Sequence, residues 1–75
     1  MSKWSQELQD NTRDNLFRGA VVKDEDHNFG IVTEMESRII INAINPDSVM
    51  PVPTGETIAT FNSVLDMVEA GWVLD

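Results

Sequence analysis

Three consecutive isoleucines at positions 39–41 constrain the fold of this chain more than any other feature. A β-branched side chain restricts its own rotamers and favours extended backbone, so the run predicts a strand over residues 38–44. Residues 29–35 before it alternate Phe, Ile, Thr and Met with intervening positions, which predicts a second strand. Glu36 and Ser37 then form a tight turn between two antiparallel strands.

The flanking segments predict short strands and turns. Residues 20–22 are an apolar run that predicts a first strand, and residues 45–48 (Asn-Pro-Asp-Ser) have turn chemistry. Because Pro51 and Pro53 lack an amide donor, residues 49–52 are expected to form an edge strand or an irregular run. A turn is predicted at 53–55, followed by extended backbone at 57–61.

A helix is predicted towards each end of the chain. Residues 3–14 contain the apolar pair Trp4 and Leu8 behind a serine cap, which predicts a short helix resting on a sheet edge with Trp4 as its anchor. A second helix begins at Asn62 or Ser63 and ends at Gly71. Residues 72–74 are expected to return to the core as a terminal strand or docked tail.

These elements predict an α+β fold in one domain spanning residues 1–75. Its centre is a small antiparallel sheet of four or five short strands, with one short helix near each terminus. A chain of this length buries only about 60% of the surface that its unfolded form exposes, so one modest core is expected. A deep catalytic pocket would use much of that core, which favours a binding protein over an enzyme.

The segment from Gly19 to Thr33 has a glycine before an apolar strand, an acidic loop, and then Phe29-Gly30 at the start of the next strand. Over residues 18–45 it resembles the opening hairpin of SH3-like small β-barrels, including KOW-type modules. This resemblance implies a partly open SH3-like barrel. KOW-type modules that contact ribosomal RNA carry basic residues where this loop is acidic, so RNA binding does not follow from it.

The charge of the chain limits its partners. Thirteen acidic residues against five basic ones give a formal net charge of −8, and residues 39–75 contain no Lys, Arg or His. This balance argues against direct binding to nucleic acid and to anionic membranes, and favours a protein partner with a basic surface. There is no cysteine, and no apolar segment has the length of a signal peptide or membrane span. We therefore expect a cytoplasmic protein.

No metal, cofactor or catalytic site is expected. Asp24, Asp26 and Asn28 have the spacing that opens an EF-hand calcium loop, but Phe29 stands where that loop requires glycine and Met35 where it requires glutamate. His27 is the only histidine, so a zinc site would need carboxylates for every other protein ligand. We interpret His27 as an exposed turn residue.

Acidic residues are the leading candidates for partner binding. Carboxylates on one surface can take the positions that phosphates occupy on a nucleic acid, so such a protein can act as a DNA mimic that inhibits a DNA-binding partner. In general character the chain is similar to the small acidic accessory proteins of bacteriophages, and a phage-type inhibitor is the specific form of this hypothesis. The candidates are Asp24, Glu25, Asp26, Glu34, Glu36, Asp66 and Glu69.

The alternative hypothesis is an SH3-like structural or assembly domain, with a homodimer as one form. Its interface would be an apolar ridge around Met50, formed by residues 49–53, because prolines pre-order such a strip and lower the entropy cost of docking. In this reading the ridge is exposed. The aromatic residues, in contrast, are expected to lie in the core: Trp4, Phe17, Phe29, Phe61 and Trp72.

Overall fold

The computed structural model describes residues 3–75, which form two helices and one five-stranded sheet. All paired strands are antiparallel, and the strand order is β4-β3-β2-β1-β5. The sheet is open, because the edge strands β4 and β5 do not pair with each other. The predicted α+β class is confirmed. In chain order the elements are α1 (Gln6–Asn15), β1 (Val21–Lys23), β2 (Phe29–Glu34), β3 (Ile39–Ile44), β4 (Pro53–Phe61), α2 (Val64–Glu69) and β5 (Val73–Leu74).

Both helices begin at a serine cap. The Ser5 hydroxyl accepts a hydrogen bond from the backbone N–H of Leu8 at 3.1 Å, and Ser63 accepts one from Asp66 at 3.1 Å. Each bond satisfies an amide that has no partner within its helix. After α2, Gly71 has a φ of +100°, a left-handed conformation that glycine adopts without strain. The predicted helix end at Gly71 is thus confirmed.

One face of the sheet carries the core. In β3, Ile39 and Ile41 point into it, and Val32 of β2 lies directly opposite Ile41. Alternation along β3 therefore buries every second side chain at its start, Ile39 and Ile41. The second helix covers this face. The buried residues of the hydrophobic core are Val22, Val32, Ile39, Ile41, Met67, Val68 and Trp72.

Gly30 allows β2 and β3 to approach closely over this core. A Cβ atom at Gly30 would overlap Cγ2 of Ile41 and would lie 3.0 Å from the carbonyl oxygen of Asn42 and 3.1 Å from Cδ1 of Ile58. Ile41 is completely buried, so its side chain has no space into which it could move. Any larger residue at position 30 must separate the strands.

Helix α1 packs against α2 and the edge strand β5, as its thin apolar stripe predicts. Thr12 is fully buried at this contact. Its hydroxyl donates to the carbonyl of Leu8 at 2.8 Å and accepts from the backbone N–H of Leu74 at 2.9 Å. The indole N–H of Trp4 donates to the carbonyl of Gly71 at 2.7 Å, which attaches the start of the helix to the same junction.

The predicted turn at residues 53–55 is wrong. Strand β4 already begins at Pro53, opposite Ile44, where a proline at the first position of an edge strand leaves no sheet hydrogen bond unmade. The side chain of Asn42 donates to the carbonyl of Thr54 at 2.9 Å and holds this segment against β3. Residues 49–52 are the irregular run that the prolines predict.

Two aromatic residues that were expected in the core are largely exposed. Phe17 is 59% exposed because Leu16, immediately after α1, takes the core position and Phe17 starts a turn to Ala20. Phe29 is 45% exposed because it pairs with Lys23 at the end of the sheet next to the loop. Trp72 is buried as predicted.

The close contact at Gly30 gives a direct test of the packing. We expect Gly30→Ala to lower the free energy of unfolding by about 1–3 kcal/mol, because the added methyl group overpacks the core. Gly55→Ala is the matched control, since a Cβ there would meet no atom within 4 Å and should change stability by less than about 0.5 kcal/mol. Urea unfolding of both variants measures the difference. Equal stabilities would contradict the close strand approach.

Candidate functional site

The acidic loop between β1 and β2 is organised by Asp24. One of its carboxylate oxygens accepts hydrogen bonds from the backbone N–H groups of Asp26, at 2.9 Å, and Asn28, at 2.8 Å. The other accepts from the side-chain amide of Asn28 at 2.9 Å. Between them His27 is exposed, as predicted, and has a φ of +66°. The Asp24 side chain thus shapes the turn, and Asn28 is one of its donors.

The same contacts keep Asp24 ionised. Partial burial opposes the charge of this carboxylate, but the hydrogen bonds from Asn28 and Asp26 outweigh it and lower its pKa below the ordinary value. All three donors are neutral groups, so they stabilise the negative charge without cancelling it.

Glu25 is held by the N-terminal segment. Its carboxylate accepts the backbone N–H of Lys3 at 2.7 Å, and the ammonium group of Lys3 donates to its carbonyl at 2.5 Å. That ammonium lies 5.5 Å from the centre of the Trp4 ring, and the ammonium of Lys23 lies 5.2 Å from it. A Cβ placed on Gly71 would lie 3.2 Å from Cγ of Glu25, so the loop rests against the residue that follows α2.

Glu34 and Glu36 lie close to positive charge. Strand β2 ends at Glu34, and Glu36 lies in the turn after it. The two glutamates therefore do not share one face of a strand, as continued alternation would require. Glu34 pairs with Arg38 at 3.7 Å, and both glutamates line a shallow depression that also contains Arg18. This neighbourhood is less negative than the sequence suggests.

The two candidates on α2 are in a different environment. Asp66 and Glu69 are exposed, and their carboxylates have no ion pair or hydrogen bond among residues 3–75. Their spacing of three places them on neighbouring positions of the helix surface. No cation neutralises them within the described part of the chain.

Helix α1 carries a second acidic face that the sequence reasoning missed. Glu7, Asp10 and Asp14 are three and four residues apart, which puts them on the face opposite the buried Thr12. A hydrogen bond from Gln6 lowers the pKa of Asp10 against the opposing effect of burial, and Arg13 adds a 2.6 Å ion pair to it. Glu7 and Asp14 have no partner among the residues described. The helical spacing in the sequence was the signal.

Most of the positive charge is already used within the fold. Arg13, Lys23 and Arg38 form ion pairs, and Lys3 binds Glu25. Among residues 3–75, Arg18 is the one lysine or arginine whose side chain has neither an ion pair nor a hydrogen bond. Eight exposed acidic residues in this range have carboxylates with neither an ion pair nor a hydrogen bond: Glu7, Asp14, Asp26, Glu36, Asp47, Glu56, Asp66 and Glu69.

The apolar ridge around Met50 is exposed, as its hypothesis requires. Val49 is fully exposed, Met50 is 72% exposed and Val52 is 43% exposed. A hydrogen bond from Asn45 N–H to the carbonyl of Val52, at 2.8 Å, closes the loop that presents them.

No cluster of three or more His, Asp or Glu side chains within residues 3–75 is arranged to hold a metal ion. Neither helix in that range is long and apolar enough to cross a membrane. Compared with known proteins, the chain matches no family model, no curated protein and no solved structure. The SH3-like resemblance and the phage-type character therefore stay predictions.

The hydrogen bonds of Asp24 predict unequal roles for neighbouring acids. We expect Asp24→Ala to lower the free energy of unfolding at pH 7 by about 1–3 kcal/mol, because three hydrogen-bond donors lose their charged acceptor. Asp26→Ala removes the same charge from an exposed side chain and should change stability by less than about 0.5 kcal/mol. Urea unfolding of the two variants checks this.

The pH dependence of this difference has a definite sign. The pKa of Asp24 is lowered in the folded state, so its stabilisation is complete above the unfolded-state pKa of about 3.9 and is lost as the pH falls through the folded value. The two variants should therefore converge in stability at acidic pH. A difference that persists after full protonation, or equal stabilities at pH 7, would contradict the assigned role.

Proposed function

We propose that this chain is a non-enzymatic, cytoplasmic protein-binding module that occupies a basic surface on a larger protein. The observation that carries the proposal is the set of eight exposed carboxylates with no internal partner in the described chain. Charge that is not neutralised within the fold is available to attract a cationic surface, and such complementarity raises association rates and selects partners.

The helices are the best supported part of this surface. Helices α1 and α2 contact each other, and Glu7, Asp14, Asp66 and Glu69 are exposed on them. We call these four residues the helical acidic residues. Both helices are fixed: α1 by the two hydrogen bonds of the buried Thr12, and α2 by Met67 in the core. Charges on rigid elements lose little entropy when a partner binds.

The specific form of the proposal is a DNA mimic of the phage-inhibitor type. Its partner would be a DNA-binding protein, and the carboxylates would take the places of backbone phosphates. The net charge of −8 supports this form, since a protein that neutralises phosphates with Lys and Arg presents the complementary field. In this form a DNA duplex and this chain compete for one surface of the partner.

Charge reversal on α2 tests the proposal. A partner captured from a lysate of the source cells by the immobilised chain is identified and purified, and its affinity is measured by biolayer interferometry. We expect Asp66→Lys with Glu69→Lys to weaken binding about ten-fold or more at low salt and to flatten its salt dependence. An excess of duplex DNA should displace the wild-type chain from its partner.

The matched control is Asp47→Lys with Glu56→Lys, which makes the same change in net charge on the loop after β3 and on β4. The control should retain most of the affinity, and circular dichroism checks that both variants fold. An equal loss of affinity in the two double variants would show that the effect comes from net charge alone. If charge reversal at Asp66 and Glu69 and charge reversal in the 24–26 loop both leave partner binding unchanged, the electrostatic proposal is wrong.

The exposed ridge favours a second candidate, an assembly domain that forms a homodimer. Val49 and Met50 are the most exposed large apolar side chains among the residues described, and such a patch commonly marks an interface. This candidate predicts a dimer in light scattering that dissociates on Val49→Ser with Met50→Ser. A strict monomer at every accessible concentration would exclude it.

A further inference from the structure

A depression next to the acidic loop is lined by both apolar and polar groups. It is a cleft of about 520 Å³ between the loop, the ends of β2 and β3, the middle of β4, and Trp72. This volume is in the range of ligand pockets and accommodates one large side chain with its backbone. The cleft is lined by five apolar residues and by two polar residues of the loop: Phe29, Ala43, Ile58, Ala59, Trp72, Asp24 and Asn28.

The sequence leaves this cleft open through small residues. Gly30 pairs with Ala43 across β2 and β3, so neither strand places a large side chain there. Cδ1 of Ile58 lies over Gly30, at the irregularity in the pairing of β3 with β4. Phe29 and Ile58 remain 45% and 39% exposed at the walls, whereas Trp72 is only 7% exposed. Two partly exposed apolar side chains facing one depression give a partner a surface to bury.

The charge around the cleft selects the occupant. Asp24 lines the cleft, its carboxylate is bound by neutral donors, and Asp26 is exposed in the same turn. The walls from β3, β4 and Trp72 come from residues 39–75, which contain no cation. Lys23, the nearest lysine along the chain, pairs with Asp75 at 3.5 Å. An apolar group with a neighbouring positive charge therefore complements this site.

We propose that the cleft is the docking site for an extended peptide segment of the partner, with one side chain of leucine size in the cleft and lysine or arginine beside it. The basic character of this segment rests on the proposed function. Surface charge contributes mainly to association rate, whereas a few buried apolar anchors supply most of the affinity of an interface. The cleft provides an apolar anchor position, which the helical acidic residues cannot supply.

Peptide titrations followed by ¹H–¹⁵N NMR test this assignment. The probe is a blocked pentapeptide with leucine at its centre and two lysines on each side. We expect it to shift the amide signals of Phe29, Ala43, Ile58 and Ala59 and the indole N–H signal of Trp72. A pentapeptide with serine at its centre keeps the charge and should bind about ten-fold more weakly, because the buried apolar group is missing.

Two variants of the cleft and one control complete the test. Ala43→Leu fills the cleft, and Ile58→Ser removes one wall at an exposed position; the dispersion of the NMR spectrum shows that each is folded. Both should bind the leucine probe no better than wild type binds the serine probe. Phe17→Ser removes an exposed apolar side chain that does not line the cleft and should leave probe binding unchanged.

The outcomes separate this inference from the proposed function. Equal affinity for the leucine and serine probes, or shifts located at residues 49–53, would overturn the cleft assignment while the charge-reversal result stands. Preferential binding of the leucine probe, lost in both cleft variants, supports the cleft even where reversal of Asp66 and Glu69 has no effect on the partner. A leucine-centred probe with glutamates in place of lysines should not bind, and its binding would overturn the charge selection.

Discussion

The structure depends on β1, a strand of three residues that pairs on both sides. Val22 lies opposite Gly30 of β2 and opposite Leu74 of β5, and its side chain is completely buried. Because Leu74 also donates to the buried Thr12, the end of the chain is attached to both the sheet and α1. The acidic loop follows β1 directly, and the pairing of β1 with β5 brings α1 to this edge of the sheet.

The charge distribution is maintained against an energetic cost. A net charge of −8 on 75 residues produces repulsion that a small core must offset. The fold uses its few cations locally: Arg13, Lys23 and Arg38 pair with carboxylates, and Lys3 holds the loop at Glu25. The carboxylates without partners are exposed, so the remaining repulsion acts between groups on the surface. A basic partner would relieve it, which links the proposed function to the stability of the chain.

The sequence predicted features that depend on local chemistry, including the isoleucine strand, the turn at residues 45–48 and the left-handed Gly71. Features that depend on tertiary contacts were harder to predict. Phe17 is exposed because Leu16 packs against the core cluster in its place. Phe29 is exposed because it pairs with Lys23 at the end of the sheet. Asn42 holds Thr54 in a strand where a turn was expected. Of the acidic candidates, Asp24 shapes its own loop, while the face on α1 was readable from its spacing but was missed.

We propose that carboxylates without internal partners on rigid helices bind a basic protein surface. The dissociation constant of the purified complex, measured from about 0.05 M to about 0.5 M salt, tests it most directly, because screening weakens contacts between exposed charges. We expect the affinity to fall steadily and steeply with salt, through faster dissociation and slower association. An affinity that is constant across this range, or that rises with salt as apolar association does, would contradict it.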